Sequence, residues 1–181
     1  MRRMGCIIAE IVYHKLKNKS LVDEDIKRAG FGSLSEALMN SRPFANVFFY
    51  RVRMESKWLF RLVRLFIKSM ESVEINVTSQ KIGKGFTIWH GYGTVIFCES
   101  IGDYCSVNQG VTIGRGKAGP NGRCIPVIGD NVNIYTNAVV FGGITVGNNV
   151  DIGAGAVVTH DVPDNCVVAG VPARVIKQKK Q

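Results

Sequence analysis

Histidine is scarce in this 181-residue chain, which has three: His14, His90 and His160. Cysteine is no better organised for metal or covalent work. The five cysteines (Cys6, Cys98, Cys105, Cys124, Cys166) are odd in number, widely spaced and free of any C-x-x-C pair. That excludes a disulfide framework and a structural zinc site, so no metal is expected and a reducing cytoplasm fits best. A run of about 18 apolar residues is also missing, so no segment is expected to span a membrane. The opening MRRMGCIIAEIVYHKLK is basic, but Glu10 and His14 interrupt its apolar stretch, which makes a poor signal peptide. Acidic residues are outnumbered 14 to 23, leaving a formal charge of +9. Such a surface favours an anionic partner: a phosphate-bearing cofactor, an acidic glycan, nucleic acid or a membrane face. The length suits one main domain.

Two regions follow different periods. Residues 1–73 carry long and charged side chains at helical spacing, whereas the stretch that follows is rich in Gly, Val, Ile, Asn and Asp. In the first, MGCIIAEIVYHKLK reads as a helix and DEDIKRAGFGSLSEALMN as two short ones, with a start near Ser35 and Glu36. Phe44 to Met70 reads as a longer helix, continuous or broken. Arg53, Lys57, Arg61, Arg64 and Lys68 share one face of it and Leu59, Leu62, Val63 and Phe66 another. This is either a helix packed on its own protein with a solvated basic side or one that docks on a membrane surface.

The second region repeats every six residues: Ile101, Val107 and Ile113, then Ile128, Ile134, Val140, Val146, Ile152 and Val158. Ile82 and Ile88 precede these, followed by Val95 at a spacing of seven. Six fits neither a helix nor a long strand but fits a triangular solenoid, one hexapeptide per face, with the aliphatic anchors stacked inside. The break between Ile113 and Ile128 places a Gly- and Pro-rich loop, 115–126, outside the prism, and excursions from so regular a scaffold usually serve a site. The organisation expected is therefore a helical extension over 1–73, a prism over 74–176 and a basic tail over 177–181.

Three stretches, KIGKGFTIWHGYGTVI, NQGVTIG with its Gly/Lys loop, and VVAGVPARVI, together with the repeats resemble the hexapeptide-repeat acyltransferases, in particular the serine acetyltransferase branch and its relatives that O-acetylate surface polysaccharides. The resemblance covers residues about 81–177. It implies a mainly β fold, a left-handed parallel β-helix with an N-terminal α-helical extension, assembled as a homotrimer with active sites between subunits. The hand comes from the resemblance, since the usual crossover rule would give the opposite one. It also implies acetyl transfer from acetyl-CoA to a hydroxyl, with His90 at the position of the catalytic histidine. A hydroxyl is a poor nucleophile at neutral pH, and an imidazole within hydrogen-bond reach can take its proton as it attacks. The bland alternative is a histidine in a turn, bonded to backbone. The resemblance places acetyl-CoA against Thr136, Gly142, Ala154, Ala169, Gly170 and Arg174. Small residues there would let the pantetheine arm lie close to the backbone. Lys117 and Lys177 are candidates for its phosphates, Lys177 equally for a disordered tail.

Some family positions differ here. The residue before the histidine is Trp89 where serine acetyltransferases usually have Asp, and the loop ends Arg123-Cys124-Ile125-Pro126 where they have a His-Pro pair. The acidic residue that orients the histidine in that branch has Glu74 as its nearest counterpart, one residue out of step. These departures, with aromatic Trp89, Tyr92 and Phe97 beside the histidine, point to a sugar acceptor in a surface polysaccharide or its precursor, with Trp89, Tyr92 and Arg123 as acceptor contacts. The aromatics could equally be a packing cluster. Serine as acceptor and a non-catalytic trimeric scaffold are the alternatives. A γ-type carbonic anhydrase is excluded because three histidine ligands cannot be assembled. Nucleic-acid binding is not expected, since no basic-aromatic module is present. The expected location is cytoplasmic, with the basic helix suited to peripheral contact with the inner membrane face.

Overall fold

The computed structural model describes residues 2–180. Five helices come first: α1 (Arg2–Lys15), α2 (Lys19–Arg28), α3 (Leu34–Asn40), α4 (Arg42–Glu55) and α5 (Lys57–Arg64). Serine hydroxyls set three of the starts. Ser33, not Ser35, caps α3 by accepting from the Glu36 amide at 3.2 Å, and Ser41 caps α4 through Phe44. The long helix read from Phe44 to Met70 is broken: Ser56 adopts an extended conformation, ends α4 and caps α5 through Leu59. Arg53, Lys57, Arg61, Arg64 and Lys68 are all exposed, while Val63 is fully buried among the helices. The apolar side of this segment thus packs on the protein and its basic side is left open.

Thirteen strands follow: β1 (Val73–Ile82), β2 (Thr87–Ile88), β3 (Thr94–Ile101), β4 (Ser106–Val107), β5 (Thr112–Gly114), β6 (Val127–Ile128), β7 (Asn133–Ile134), β8 (Val139–Phe141), β9 (Thr145–Val146), β10 (Asp151–Ile152), β11 (Val157–Val158), β12 (Cys166–Ala169) and β13 (Arg174–Gln178). They wind into a left-handed parallel β-helix of about five turns. Its three faces are ladders of stacked anchors. Ile82, Ile101, Ile128, Val146 and Val162 form one. Ile88, Val107, Ile134, Ile152 and Val168 form the second. Ile96, Ile113, Val140 and Val158 form the third. Regular coils pair residues 18 apart (Ile128 with Val146, Ile134 with Ile152), which is three hexapeptides. Across the loop the offset is 27 on every face (Ile101 with Ile128, Val107 with Ile134, Ile113 with Val140), so the excursion adds nine residues and leaves the register intact.

One anchor differs from the sequence reading. Ile96 is fully buried and stacks on Ile113, whereas Val95 is exposed. Extra chain in the turn after Ile88 shifts the alternation by one residue, and a one-residue slip exchanges inner and outer side chains.

The edge that follows the first ladder is held by side chains. Asp103 accepts from the Lys84 amide (3.0 Å), Asp130 from Asp103 (2.7 Å), Asn148 from Asp130 (2.8 Å) and Asp164 from Asn148 (2.6 Å). Each carboxylate or amide thus bonds the backbone of the coil before it. The glycine one position earlier is required, since a Cβ on Gly102 would occupy the place of the Asp130 carboxylate. This is the physical content of the recurring I-G-D/N pattern.

The C-terminus departs from expectation. β13 turns back antiparallel on β12, Lys179 donates its amide to Asn165 O at 2.7 Å, and its ammonium pairs with Asp151 at 3.0 Å. The segment from 174 to 179 is therefore bound to a face and not a loose basic tail. The helices form a second apolar core and are joined to the first coil through a buried ion pair. Arg51 donates to both Asp25 oxygens (2.9 and 3.1 Å) and to the carbonyls of Ile82 and Gly83, and Asp25 also accepts from the Phe86 amide at 2.8 Å.

Candidate active site

The turn after β2 carries His90. Trp89 donates its amide to Val107 O at 2.8 Å, and the Gly91 amide reaches back to Trp89 O at 2.7 Å, closing a tight turn around His90. The histidine sits at φ +61°, the left-handed corner conformation that Tyr104, Asn131, Asn137, Asn149 and Asn165 also adopt in the coils. Gly91 is buried: a Cβ there would lie 3.0 Å from Val73 Cγ2, 3.2 Å from Pro43 Cγ and 3.3 Å from Met70 Sδ. The turn therefore rests on α4 and the start of β1. Asn46 ties these two together by donating to Met70 O and accepting from the Met70 amide, both at 2.9 Å. The imidazole itself is exposed, with Trp89 (41 % exposed) and Tyr92 (70 % exposed) on either side.

Register places more of the candidate residues beside it. Two positions after each anchor of the second ladder stand His90, Gln109, Thr136, Ala154 and Gly170. They occupy equivalent corners of successive coils and form one column along an edge of the prism, with Ala169 adjoining. Backbone bonds seal it: Gly110 N to Tyr92 O (2.7 Å), Asn137 N to Gln109 O (3.1 Å) and Gly155 N to Thr136 O (2.9 Å). Four coil steps at about 4.8 Å make the column roughly 19 Å long. Gln109 was not singled out from sequence, although it lies inside the quoted NQGVTIG. Its side-chain oxygen is buried without a hydrogen-bond partner, which is unusual for a polar group.

Lys117, Gly142 and Arg123 lie at a different edge, the one after the third ladder. The loop 115–126 folds down there. Gly116 donates to Cys124 O (2.9 Å), Gly119 to Arg123 O (2.8 Å) and Gly143 to Lys117 O (2.9 Å). A cavity of about 570 Å³ opens between this loop and the next coils, lined by Lys117, Pro120, Phe141, Gly142, Thr159 and His160 among others. Gly142, at φ +99°, leaves room for the Lys117 carbonyl, which a Cβ would approach to 3.3 Å. His160, read from sequence as a solvated turn residue, is exposed and borders this cavity, its Nδ1 2.8 Å from Thr159 Oγ1. Arg123 reaches Thr145 Oγ1 (2.8 Å) and Glu99 (3.7 Å), not the His90 turn. Arg174 lines a smaller depression beyond His160, and Lys177 is exposed on β13.

Within one chain, then, His90 and the small-residue column share one edge while Lys117, Gly142 and Arg123 share the other edge of the same face. Glu74 joins neither. It lines a depression of about 230 Å³ with Tyr50, Arg53 and Arg64 and makes no hydrogen bond to His90 among the described residues. Its neighbour Val73 is buried under the His90 turn, and strand alternation turns Glu74 to the other side; β1 bulges only further along, four residues (Val77 to Lys81) spanning two of β3 (Cys98 to Ser100), with Gln80 at φ +59°. Cys98 and Cys105, inside the prism, are pushed by burial up to about 12 and stand apart from any of this chemistry. Among the described residues no cluster of His, Cys, Asp and Glu could hold a metal, and no helix is long and apolar enough to cross a membrane.

No family model matches the chain. It is 44 % identical to a serine acetyltransferase of Synechococcus elongatus over 117 residues, which is 64 % of this chain and 47 % of that protein. The chain spans about half the length of the curated relatives it matches. Soybean serine acetyltransferase is 32 % identical with a TM-score of 0.68, covering 87 % of this chain and 68 % of that one. The serine acetyltransferase of Neisseria gonorrhoeae, 26 % identical, matches with a TM-score of 0.72 over 98 % of this chain and 80 % of its own. The same protein solved with serine matches at 0.68.

Proposed function

Because the chain belongs to the serine acetyltransferase-like branch of the hexapeptide-repeat acyltransferases, we propose that it transfers acetyl from acetyl-CoA to a hydroxyl, with L-serine as the acceptor and His90 as general base. The observation that carries this is the column: an exposed histidine in a turn supported from below, at the head of an edge lined by small residues. Acetyl-CoA supplies the activated thioester, and an extended substrate laid along Thr136, Ala154 and Gly170 would bring one end to the imidazole. The exposed Ala154 and the open space over Gly155 suit such a chain. His90 takes the hydroxyl proton as oxygen attacks the thioester carbonyl. The tetrahedral adduct expels the CoA sulfur, which leaves with that proton as the thiol. No covalent enzyme intermediate is needed.

Two edges of one face hold the remaining parts. A homotrimer would bring the Lys117 and Arg123 edge of one copy against the His90 edge of its neighbour, a closed symmetric arrangement that puts each site between subunits. Relatives at 42–46 % identity that are named serine acetyltransferases favour serine over the glycan suggested by the local departures. A sugar acceptor is kept as a second reading for one reason: Trp89 and Tyr92 present open aromatic surface beside the histidine.

The test is release of free thiol from acetyl-CoA with L-serine and with a panel of mono- and oligosaccharides, wild type against His90→Ala. Turnover with serine, lost in the variant by a factor on the order of 100 or more, supports the proposal. Turnover with a sugar alone transfers it to the glycan, and an active His90→Ala refutes the general base.

A further inference from the structure

The helical unit carries a surface that the acetyl-transfer chemistry does not use. Trp58 (68 % exposed) on α5 and Leu65 (78 % exposed), its C-cap in helical conformation, are seven residues apart and so share a face, with Lys57 and Arg61 beside them. Leu65 is also the rim of a groove of about 320 Å³ whose apolar walls include Leu38, Met39, Phe66 and Ile67, with exposed Arg42 and Lys68 at its margin. Helix α1, which packs on both α3 and α5, turns Met4, Ile7 and Ile11 outward as a second apolar stripe. Residues 57–70 contain four basic side chains and no acidic one, and residues 37–54 contain no acidic one either.

We propose that this face docks on a membrane surface bearing acidic phospholipids. Apolar side chains set among cations match the two layers of a bilayer interface, where Trp and Leu enter the headgroup boundary and Lys and Arg meet phosphate. The groove has the chemistry to take an acyl chain beneath its headgroup, Arg42 and Lys68 facing the phosphate. A polyanion in water would use the charges and leave Trp58, Leu65 and the α1 stripe unpaired, so the mixed pattern favours lipid. The inference is independent of the acetyl acceptor.

The experiment is co-sedimentation of the full chain with phosphatidylcholine vesicles and with vesicles in which a third of the lipid is phosphatidylserine, at low and raised ionic strength. The expected result is binding to the anionic vesicles only, weakened by salt. A Lys57→Gln/Arg61→Gln/Lys68→Gln variant should lose affinity on the order of 100-fold. Trp58→Ser/Leu65→Ser, which touches no charge, should also lose binding, and loss of the lipid-induced fluorescence shift in Trp58→Phe would place that side chain in the interface. Circular dichroism checks that each variant folds. Wild type left in the supernatant with both vesicles, equal binding to both, or a charge variant that binds as wild type does would each overturn the proposal. Duplex DNA bound in place of vesicles, or self-association without lipid that the same variants abolish, would overturn it in favour of that partner.

Discussion

Replacing Arg51 by methionine tests the joint between the helices and the first coil. Arg51 is 7 % exposed and Asp25 1 %. The change removes a bidentate pair and two bonds to the Ile82 and Gly83 carbonyls, and it leaves the Asp25 carboxylate buried with backbone amides alone as partners, Phe86 at 2.8 Å among them. Breaking a buried pair on one side costs about 3–5 kcal/mol, because the surviving charge has no partner. For a chain of this size each kcal/mol moves the melting temperature by about 2–4 °C, so a drop of roughly 10 °C is expected. Burial already raises the Asp25 carboxyl above its usual range, and Arg51 is the main influence opposing it. Without Arg51 the folded-state value rises further. A group raised in the folded state stabilises at low pH and loses that contribution as pH climbs through its folded value, so the deficit of Arg51→Met should shrink on acidification. Thermal melts by circular dichroism at neutral and mildly acidic pH measure both effects. A melting temperature within about 3 °C of wild type at neutral pH, or a deficit that widens in acid, would refute the assignment of this pair as the joint.

Ala154→Leu, on an exposed corner of the column, should raise KM for acetyl-CoA several-fold with little change in melting temperature; an unchanged KM would place the donor elsewhere. Gly102→Ala should be poorly folded, since its Cβ would collide with the Asp130 carboxylate and the Gly129 backbone. Asp130→Ala, which only removes a ladder bond, should cost about 1–2 kcal/mol by denaturant melt. A thiol reagent on the native chain should label Cys124 first. Cys6, Cys98, Cys105 and Cys166 are buried and Cys124 is partly exposed, so labelling followed by mass spectrometry should find the modification on the loop.

The prism was readable because its order is one-dimensional: anchors every six residues stack on their own kind, and the loop announces itself by breaking the count. Where two aliphatics adjoin, the count cannot say which points inward. Val95 and Ile96 were separated only by the length of the His90 turn, which pairing with β5 reveals. His90, Thr136, Ala154 and Gly170 came from resemblance, yet their common register two places past an anchor was already implicit in the repeat, and it would have added Gln109. Glu74 shows the opposite limit: Val73 beside it packs under the His90 turn, and the alternation of β1 sends Glu74 to the other side, an inside-outside choice that the spacing of one carboxylate does not forecast. The Lys179–Asp151 contact, which holds down the C-terminus, joins residues 28 apart in sequence and follows from the antiparallel return of β13.

The nine-residue excursion enters and leaves the prism without disturbing the stacking above or below it. Scaffold and cavity wall are thereby written on separate stretches of chain. Lengthening or exchanging residues 115–126 would recast the wall of the cavity beside Gly142 while each ladder kept its partners. A lineage built on such coils can reshape this corner without renegotiating its core.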